Sequence, residues 1–296
     1  MSDPVDVSSC LVEEKTIKVS YTKRDLILYA LGIGVTDLRY VYEDDSDFSA
    51  FPTFPIVLNF TGTEQDIAGF PSEAMMEANV VPPLPGVKFL LDGERFLEVL
   101  KPIPEDGGLF EMRSKVLGVH KKGKGALVES VATLERDGVV YCRITSGAFL
   151  VGAKGFKDCG KSMSKAVPVP NRAPDYVVES QTSEAQAALY RLSGDYNPLH
   201  IDPSAAEMNG FPKPILHGLC TFGFAASAVL KAVLGNDSTK FRSIRVRFAK
   251  PVFPGETLVT KIWREGSKAI FNVIVKERNV VVVNNAEVEF TPSAKL

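Results

Sequence analysis

Two kinds of hydrophobic pattern alternate along the chain, and each half carries both in the same order. Residues 25–32 (DLILYALG) and 184–194 (EAQAALYRLSG) have the helical spacing of apolar positions and end at a glycine, so both predict short amphipathic helices. Runs rich in β-branched and aromatic residues follow in each half and predict strands. These runs cover residues 116–119, 126–134 and 139–150 in the first half, and 242–250, 257–265, 269–276 and 280–290 in the second.

One long apolar helix is predicted over residues 217–234. Its central run, LCTFGFAASAVL, is apolar on nearly every side, which is typical of a helix buried inside a fold. Because four predicted strands follow it, we expect a sheet wrapped around this helix. The first half has no equally clean helix: residues 51–60 carry two prolines, so its central element is expected to be degraded.

An internal repeat accompanies this order of elements. When Tyr29 is aligned with Tyr190, the neighbouring leucines also match, and residues 100–104 (LKPIP) parallel residues 249–254 (AKPVFP). Two matches in the same order predict an ancient duplication.

The length of 296 residues also favours two fused units. Residues 155–175 are rich in Lys, Ser and Pro and predict a linker. The predicted organisation is therefore an N-terminal repeat over residues 1–154, the linker, and a C-terminal repeat over residues 176–296.

Composition limits the classes of function. The chain is 45% hydrophobic and 24% charged, as expected of a soluble protein with a sizeable core. Its formal net charge of −2 offers no basic surface for nucleic acid. The N-terminus lacks the pattern of a signal peptide, and the most apolar stretch, residues 219–230, is too short to span a bilayer. We therefore expect a soluble, intracellular protein with no nucleic-acid or membrane partner.

The familiar metal and cofactor motifs are not matched. The four cysteines form no CxxC pair, and three histidines are too few for a His-rich metal centre. Gly32-Ile-Gly34 lacks the third glycine of a dinucleotide fingerprint, and residues 118–125 lack the Ser/Thr that ends a P-loop. The latter segment predicts a hairpin whose lysines (Lys121, Lys122 and Lys124) either meet ligand phosphates or only face solvent. We expect no metal and no bound cofactor.

The candidate chemistry is concentrated in residues 195–200 (DYNPLH). They follow a predicted helix end at Gly194, and Pro198 stiffens the loop and biases Asn197 toward an extended conformation. Such a loop can direct a carboxylate (Asp195), an amide and an imidazole (His200) at one water molecule and so move protons to and from it. In the alternative reading, Asp195 and Asn197 only cap turns, and His200 is a packed core histidine.

A second candidate lies at the start of the buried helix. A helix N-terminus offers unpaired N–H groups and a partial positive charge, and Gly218 has no side chain to block approach. Its N–H could therefore stabilise a thioester carbonyl that becomes an enolate. Alternatively, Gly218 only permits close helix–sheet packing, and the preceding His217 is an N-cap or core residue without assigned chemistry.

Together these segments resemble a known family. Residues 190–203 (YRLSGDYNPLHIDP) and 210–221 (GFPKPILHGLCT) resemble the signature of the hydratase 2 family, the MaoC-like (R)-specific 2-enoyl-CoA hydratases. Residues 29–34, 92–98 and 101–102 resemble the first repeat of its eukaryotic two-repeat members, so the resemblance covers nearly the whole chain. It implies an α+β double hot-dog fold, in which two curved antiparallel sheets each wrap a central helix.

The resemblance also implies roles for individual residues. Asp195 and His200 would hold and activate water with support from Asn197, and Gly218 would supply the oxyanion N–H. The implied substrate contacts are Asp92, Gly93, Tyr196, Pro198 and Leu199, with Lys122 and Phe248 at the CoA portion. Asp92 departs from the family pattern, which has His there. The resemblance implies that the first repeat is non-catalytic and makes room for bulky acyl chains. Gly34 aligns with Asp195, so one active site per chain is expected, in the second repeat.

The implied reaction is hydration of trans-2-enoyl-CoA to (3R)-3-hydroxyacyl-CoA by a homodimer, with an acyl-CoA thioester as its ligand and no cofactor. The C-terminal Ala294-Lys295-Leu296 is similar to the peroxisomal Ser-Lys-Leu signal and favours peroxisomal β-oxidation. Two related activities remain as alternatives, a hot-dog acyl-CoA thioesterase and an acyl-carrier-protein dehydratase. A non-catalytic acyl-CoA binding module is the alternative from another class.

Overall fold

The computed structural model describes residues 3–291, which form one antiparallel sheet of eleven strands with helices packed against it. The strands are β1 (Glu14–Tyr21), β2 (Phe89–Val99), β3 (Gly108–Lys122), β4 (Gly125–Arg136), β5 (Val139–Val151), β6 (Cys159–Gly160), β7 (Tyr176–Gln181), β8 (Phe241–Phe248), β9 (Thr257–Glu265), β10 (Lys268–Val275) and β11 (Val280–Phe290). The α-helices are α1 (Lys23–Gly32), α2 (Leu38–Val41), α3 (Leu58–Thr61), α4 (Glu73–Glu77), α5 (Gln186–Tyr190), α6 (Pro203–Met208) and α7 (Gly218–Leu234). Short 3₁₀ turns occupy Ser8–Leu11, Phe54–Val57, Arg191–Ser193, Pro198–His200 and Ser238–Lys240.

The order of strands repeats across the sheet. It runs β1-β3-β4-β5-β2 in the first half and, read from the opposite edge, β7-β9-β10-β11-β8 in the second. The two sets meet where β2 pairs with β8, with Glu94 opposite Arg247. The two curved sheets that the resemblance implied are therefore joined edge to edge into one. This repeated order is what the predicted duplication requires, and the matched segments 100–104 and 249–254 follow β2 and β8.

Helix α7 is the buried core of the second half. Its apolar surface contacts strands β7 to β10, and Phe222, Val229 and Leu230 are almost completely buried. The helix begins at Gly218, one residue later than predicted, because His217 takes the N-cap position. Gly223 allows Ile33 of the first half to approach, since a Cβ at Gly223 would lie 2.2 Å from that side chain.

The equivalent element of the first half is degraded, as predicted. Only a 3₁₀ turn at Phe54–Val57 and the four residues of α3 stand there, with Pro55 near the start of the turn. The predicted helix over residues 184–194 is also shorter, because α5 passes into a 3₁₀ turn and ends at Gly194 in a left-handed conformation with φ of 119°.

The predicted linker residues cross the join between the two halves. The Ser164 hydroxyl donates to Glu94 on β2 at 2.9 Å, and the Lys165 ammonium lies 2.6 Å from Glu287 on β11. The segment thereby contacts both repeats. The limits of the predicted domains stay a prediction, since the sheet is continuous between them.

No helix within residues 3–291 has both the length and the apolar character needed to cross a bilayer. The predicted targeting tripeptide, Ala294-Lys295-Leu296, lies outside the described residues.

Candidate active site

The loop that carries the predicted chemistry is fixed by hydrogen bonds within itself. Gly194 turns the chain out of the 3₁₀ turn, and its positive φ strongly favours glycine. The Asp195 carboxylate accepts the Asn197 N–H at 3.3 Å, and the Asn197 side-chain oxygen accepts the Leu199 N–H at 3.0 Å. Two consecutive side-chain-to-backbone turns of this kind give the loop a defined shape. The segment therefore has the constrained turn geometry that its proline and turn residues predicted.

His200 is held in one orientation by the backbone. Its Nδ1 lies 2.8 Å from the carbonyl oxygen of Ile215, and since a carbonyl only accepts, Nδ1 carries the hydrogen. Burial lowers the pKa of His200 to about 4, although the bond to Ile215 opposes this shift. The imidazole is therefore neutral near pH 7, and its Nε2 lone pair is available to accept a proton.

The Asp195 carboxylate has an environment suited to proton transfer. Burial raises the pKa of Asp195 to about 6; the Asn197 N–H lowers it, while the negative charge of Asp92 raises it and the positive charge of Arg95 lowers it. A carboxylate with a pKa near the working pH can both accept and return a proton.

His217 links the loop to the start of α7. Its ring is stacked on that of His200, with 3.7 Å between ring centroids, and lies 4.9 Å from the ring of Tyr190. Its Nε2 is 3.0 Å from the Asp195 carbonyl oxygen and so donates to it. Burial and the neighbouring His200 hold the pKa of His217 well below its usual range. His217, which the sequence left without a role, therefore contacts both the His200 ring and the backbone of Asp195.

The three groups are close enough to share one small ligand. One donor atom each from Asp195, His200 and His217 lie within 4.8 Å of one another. The His217 Nδ1 and the Tyr190 hydroxyl are buried and have no hydrogen-bond partner among residues 3–291. Buried polar atoms of this kind are usually satisfied by water or a ligand. The geometry suits a water molecule held between a carboxylate and an imidazole.

Gly218 is the first residue of α7. Its N–H has no acceptor within the described part of the chain, as expected for the first turn of a helix. A Cβ added at Gly218 would lie 3.5 Å from the Phe248 ring, an ordinary van der Waals contact. Close packing therefore does not require glycine here, which weakens the packing alternative. Gly218 and Phe248, both predicted site residues, are brought together.

The first repeat contributes charged groups from β2. Asp92 retains 30% of its side-chain exposure and forms an ion pair with Arg95 at 2.9 Å, and Arg95 also bonds Ser146. Burial raises the pKa of Asp92, and Arg95 opposes the shift. Gly93 lies at the bulge between Asp92 and Glu94, where a Cβ would come within 2.9 Å of a β5 carbonyl. Arg95 was missed, although an oppositely charged residue three positions from Asp92 was a visible signal.

The remaining predicted contacts are more dispersed. Lys122 is exposed at the end of β3. It pairs with Gly125 on β4, Gly125 pairs with Val151 on β5, and Val151 pairs with Phe89 on β2. Three strand spacings, or about 14 Å, therefore separate Lys122 from Phe89. It shares an end of the sheet with Asp92 without touching the cluster. Tyr196 is buried and faces the first repeat beneath Arg191. Pro198 is exposed and Leu199 is half-buried. Their substrate contacts stay predictions.

The fold and the site together define a double hot-dog protein with a carboxylate–imidazole pair beside the N-terminus of a buried helix. Comparisons with known proteins agree with this class. Residues 19–152 match the family described as MFE-2 hydratase 2 N-terminal domain, and residues 165–286 match the MaoC like domain. The chain belongs to the MaoC-like hydratase 2 family, and the predicted fold class is confirmed.

Individual relatives are similar over nearly the whole chain. A MaoC-like dehydratase from Phytophthora capsici, known from its crystal structure, shares 43% identity, covers 98% of this chain and 99% of that one, and has a TM-score of 0.93. Peroxisomal enoyl-CoA hydratase 2 of Arabidopsis thaliana is 37% identical over 90% of this chain and 89% of its own length. Peroxisomal multifunctional enzyme type 2 of Mus musculus is 42% identical over 93% of this chain, which spans only 37% of that relative.

Proposed function

We propose that this protein adds water to trans-2-enoyl-CoA to give (3R)-3-hydroxyacyl-CoA. The observation that carries the proposal is the cluster of Asp195, His200 and His217 within 4.8 Å, next in sequence to Gly218, whose N–H has no acceptor among residues 3–291. A relative of similar length is named an enoyl-CoA hydratase, which supports this substrate class.

Water is held between the Asp195 carboxylate and the Nε2 of His200. As its oxygen attacks C3, the pair takes up one proton, so the hydroxyl group forms at C3. That proton is then delivered to C2, and the atoms of substrate and water account for the whole product. The neutral His200 and the raised pKa of Asp195 suit a proton that is taken up and given back.

Negative charge develops on the thioester oxygen during attack. The Gly218 N–H, together with the partial positive charge at the start of a 17-residue helix, stabilises that charge. Two parts of the site thus have different roles. Loop residues 195–200 transfer the proton, and the N-terminus of α7 stabilises the enolate oxygen.

The test is hydration of enoyl-CoA substrates of several chain lengths, with chiral analysis of the product. We expect the (3R) product, and a loss of about 10²–10⁴-fold in kcat for Asp195→Asn and for His200→Gln. Asp202→Asn is the matched control, because Asp202 caps α6 and asparagine is an equally good cap. An (S) product, or near-wild-type turnover in either variant, would reject the assignment.

The same assay separates the alternatives. Free CoA released at the rate of substrate loss would indicate a thioesterase, and a strong preference for acyl-carrier-protein thioesters would indicate the dehydratase. Binding without turnover in the wild type would leave a binding module.

We further propose a peroxisomal, metal-free homodimer that serves β-oxidation. Names of peroxisomal relatives support the location. Deleting Ala294-Lys295-Leu296 should move a fluorescent fusion out of peroxisomes, and light scattering should give twice the 32.2 kDa chain mass. Because three potential ligands cluster at the site, a chelator is an informative test: we expect full activity after EDTA treatment and dialysis, and lost activity that added metal restores would refute this part.

A further inference from the structure

A cavity of about 390 Å³ lies far from the candidate active site. Its lining comes from residues 39, 47–52, 55, 99–103 and 142 of the first repeat and 237–239, 241 and 242 of the second. The latter residues follow the C-terminal end of α7, whereas Gly218 begins that helix, so its length of about 25 Å separates the two places. The volume lies in the range of small-molecule sites.

The duplication relates the lining of this cavity to residues of the candidate active site. The alignment of Tyr29 with Tyr190 pairs Arg39 with His200, and the segments after β2 and β8 pair Val99 with Phe248. Arg39 and Val99 both line the cavity. The cavity is therefore the first repeat's counterpart of the candidate active site.

The contribution of the opposite repeat follows the same symmetry. The matched segments pair Asp92 and Gly93 on β2 with Phe241 and Arg242 on β8. Asp92 acts on the active site through its charge near Asp195, and Phe241 and Arg242 line the cavity. Strand β2 of the first repeat thus contributes to the candidate active site, and strand β8 of the second repeat contributes to the cavity.

The first-repeat counterpart has lost its proton-transfer groups. Gly34 stands in the place of Asp195, and a Cβ there would lie 2.5 Å from the Phe224 ring, so the carboxylate has been replaced by packing. The positions equivalent to Asp195 and His200 therefore carry neither a carboxylate nor an imidazole, yet a cavity remains in this part of the fold.

Whereas the catalytic carboxylate has been lost, positively charged side chains line the cavity. Lys101 and Arg242 have no carboxylate within salt-bridge distance among residues 3–291: Lys101 lies over the Tyr141 ring, and Arg242 bonds only the backbone carbonyls of residues 239 and 241. Of the two lining carboxylates, Asp237 is paired with Lys240 at 3.0 Å, and Asp47 remains. The lining therefore carries cations without partners beside the apolar side chains of Phe48, Phe51 and Ile103.

We propose that this cavity is a second ligand site, which binds the carboxylate form of a medium-chain fatty acid without converting it. The alkyl chain lies against Phe48, Phe51 and Ile103, where its burial stabilises the complex. The carboxylate is bound by Lys101 and Arg242, whose charge-assisted hydrogen bonds favour an anion. The inference goes beyond the proposed hydration, whose substrate and product are thioesters.

The test is calorimetric titration of the full chain with decanoate and with decanol. We expect decanoate to bind, and decanol, which lacks the charge, to bind at least about tenfold more weakly. Lys101→Glu and Arg242→Glu should each weaken decanoate binding about tenfold. Lys115→Glu, an equal charge reversal at an exposed position of β3, should leave it unchanged. All three positions are exposed, and thermal melting checks that each variant is folded.

Turnover of an enoyl-CoA substrate decides whether the site is separate. We expect Lys101→Glu and Arg242→Glu to retain wild-type hydration, because both side chains lie at the far end of α7. Equal decanoate affinity in all variants would place the ligand in the catalytic cleft and overturn the proposal. So would decanol binding as tightly as decanoate, or a parallel loss of hydration in the two variants.

Discussion

Replacing Gly218 by proline removes one hydrogen-bond donor from the start of α7 while the local backbone can stay as it is. Proline is favoured at the first position of a helix, where its missing N–H forms no helical hydrogen bond. The preceding residue, His217, has φ of −56° and ψ of 135°, a conformation that a residue before proline readily adopts. A Cβ at position 218 makes only an ordinary contact with Phe248, at 3.5 Å.

The size of the effect follows from the role assigned to that donor. Removal of a single oxyanion donor costs about 10²–10³-fold in kcat, or roughly 2.7–4 kcal/mol of transition-state stabilisation. Gly218→Ala is the matched control, because it adds the same Cβ and keeps the N–H. We expect Gly218→Ala to stay within about tenfold of wild type, since its Cβ meets no tight contact.

The assay is steady-state hydration of an enoyl-CoA, with kcat and KM measured separately and folding checked by thermal melting. The proline ring places a methylene group where the N–H points, so weaker substrate binding is also expected. Saturating substrate isolates the effect on kcat. A folded Gly218→Pro variant with wild-type kcat would refute the oxyanion role, and an equal loss in Gly218→Ala would show that space at this position matters more than the donor.

Further predictions concern the charges around Asp195 and the lost site of the first repeat. Because the reaction needs ionised Asp195, kcat/KM should fall as the pH decreases through about 6. Arg95→Gln removes a positive charge that lowers the pKa of Asp195, so the fall in kcat/KM should begin at a higher pH. Asp92→Asn removes a negative charge that raises this pKa, so the fall should begin at a lower pH. Asp195→Asn should stabilise the fold at pH 8 by on the order of 2 kcal/mol in denaturant unfolding, because the raised pKa makes ionised Asp195 unfavourable above pH 6; this gain should disappear near pH 4. Gly34→Asp should lower stability by roughly 1–3 kcal/mol and add no activity, since φ of 74° disfavours a side chain and Phe224 fills the space.

Each of these predictions has a contrary outcome. If the acidic fall of kcat/KM shifted in the same direction in Arg95→Gln and Asp92→Asn, the charges would not act through Asp195. A pH-independent stability of Asp195→Asn relative to wild type would contradict the raised pKa. A stable, more active Gly34→Asp variant would contradict the view that packing has replaced the first site.

Strands with a continuous apolar or alternating pattern could be predicted from the sequence. β9 and β11 match their predicted limits, and the hairpin between β3 and β4 is present. Strand β2 was missed because Asp92-Gly93 in its middle is typical of a turn, whereas the structure absorbs it as a bulge. β1 was missed although Ile17, Val19 and Tyr21 alternate with polar residues, a signal that was available.

The site was predictable only as far as it is local in sequence. Residues 195–200 form one loop, so their proximity followed from the chain itself. The contributions of Arg95 and His217 depend on the pairing of β2 with β8 and on the stacking of His217 over His200. No local pattern encodes these long-range contacts. Lys122 was predicted by resemblance, and its distance from the cluster could be judged only from the strand register.

The two repeats, joined through the pairing of β2 with β8, can change independently in sequence, which the subunits of a homodimer cannot. In a symmetric dimer of identical one-repeat chains, every substitution occurs at both sites at once, so neither site can change alone. Here the two copies share a chain and a sheet, and each position mutates independently. One copy can keep Asp195 and His200 while the other exchanges the equivalent positions for Gly34 and Arg39. Joining the copies therefore permits a division of labour within one continuous sheet in which the order of strands is repeated.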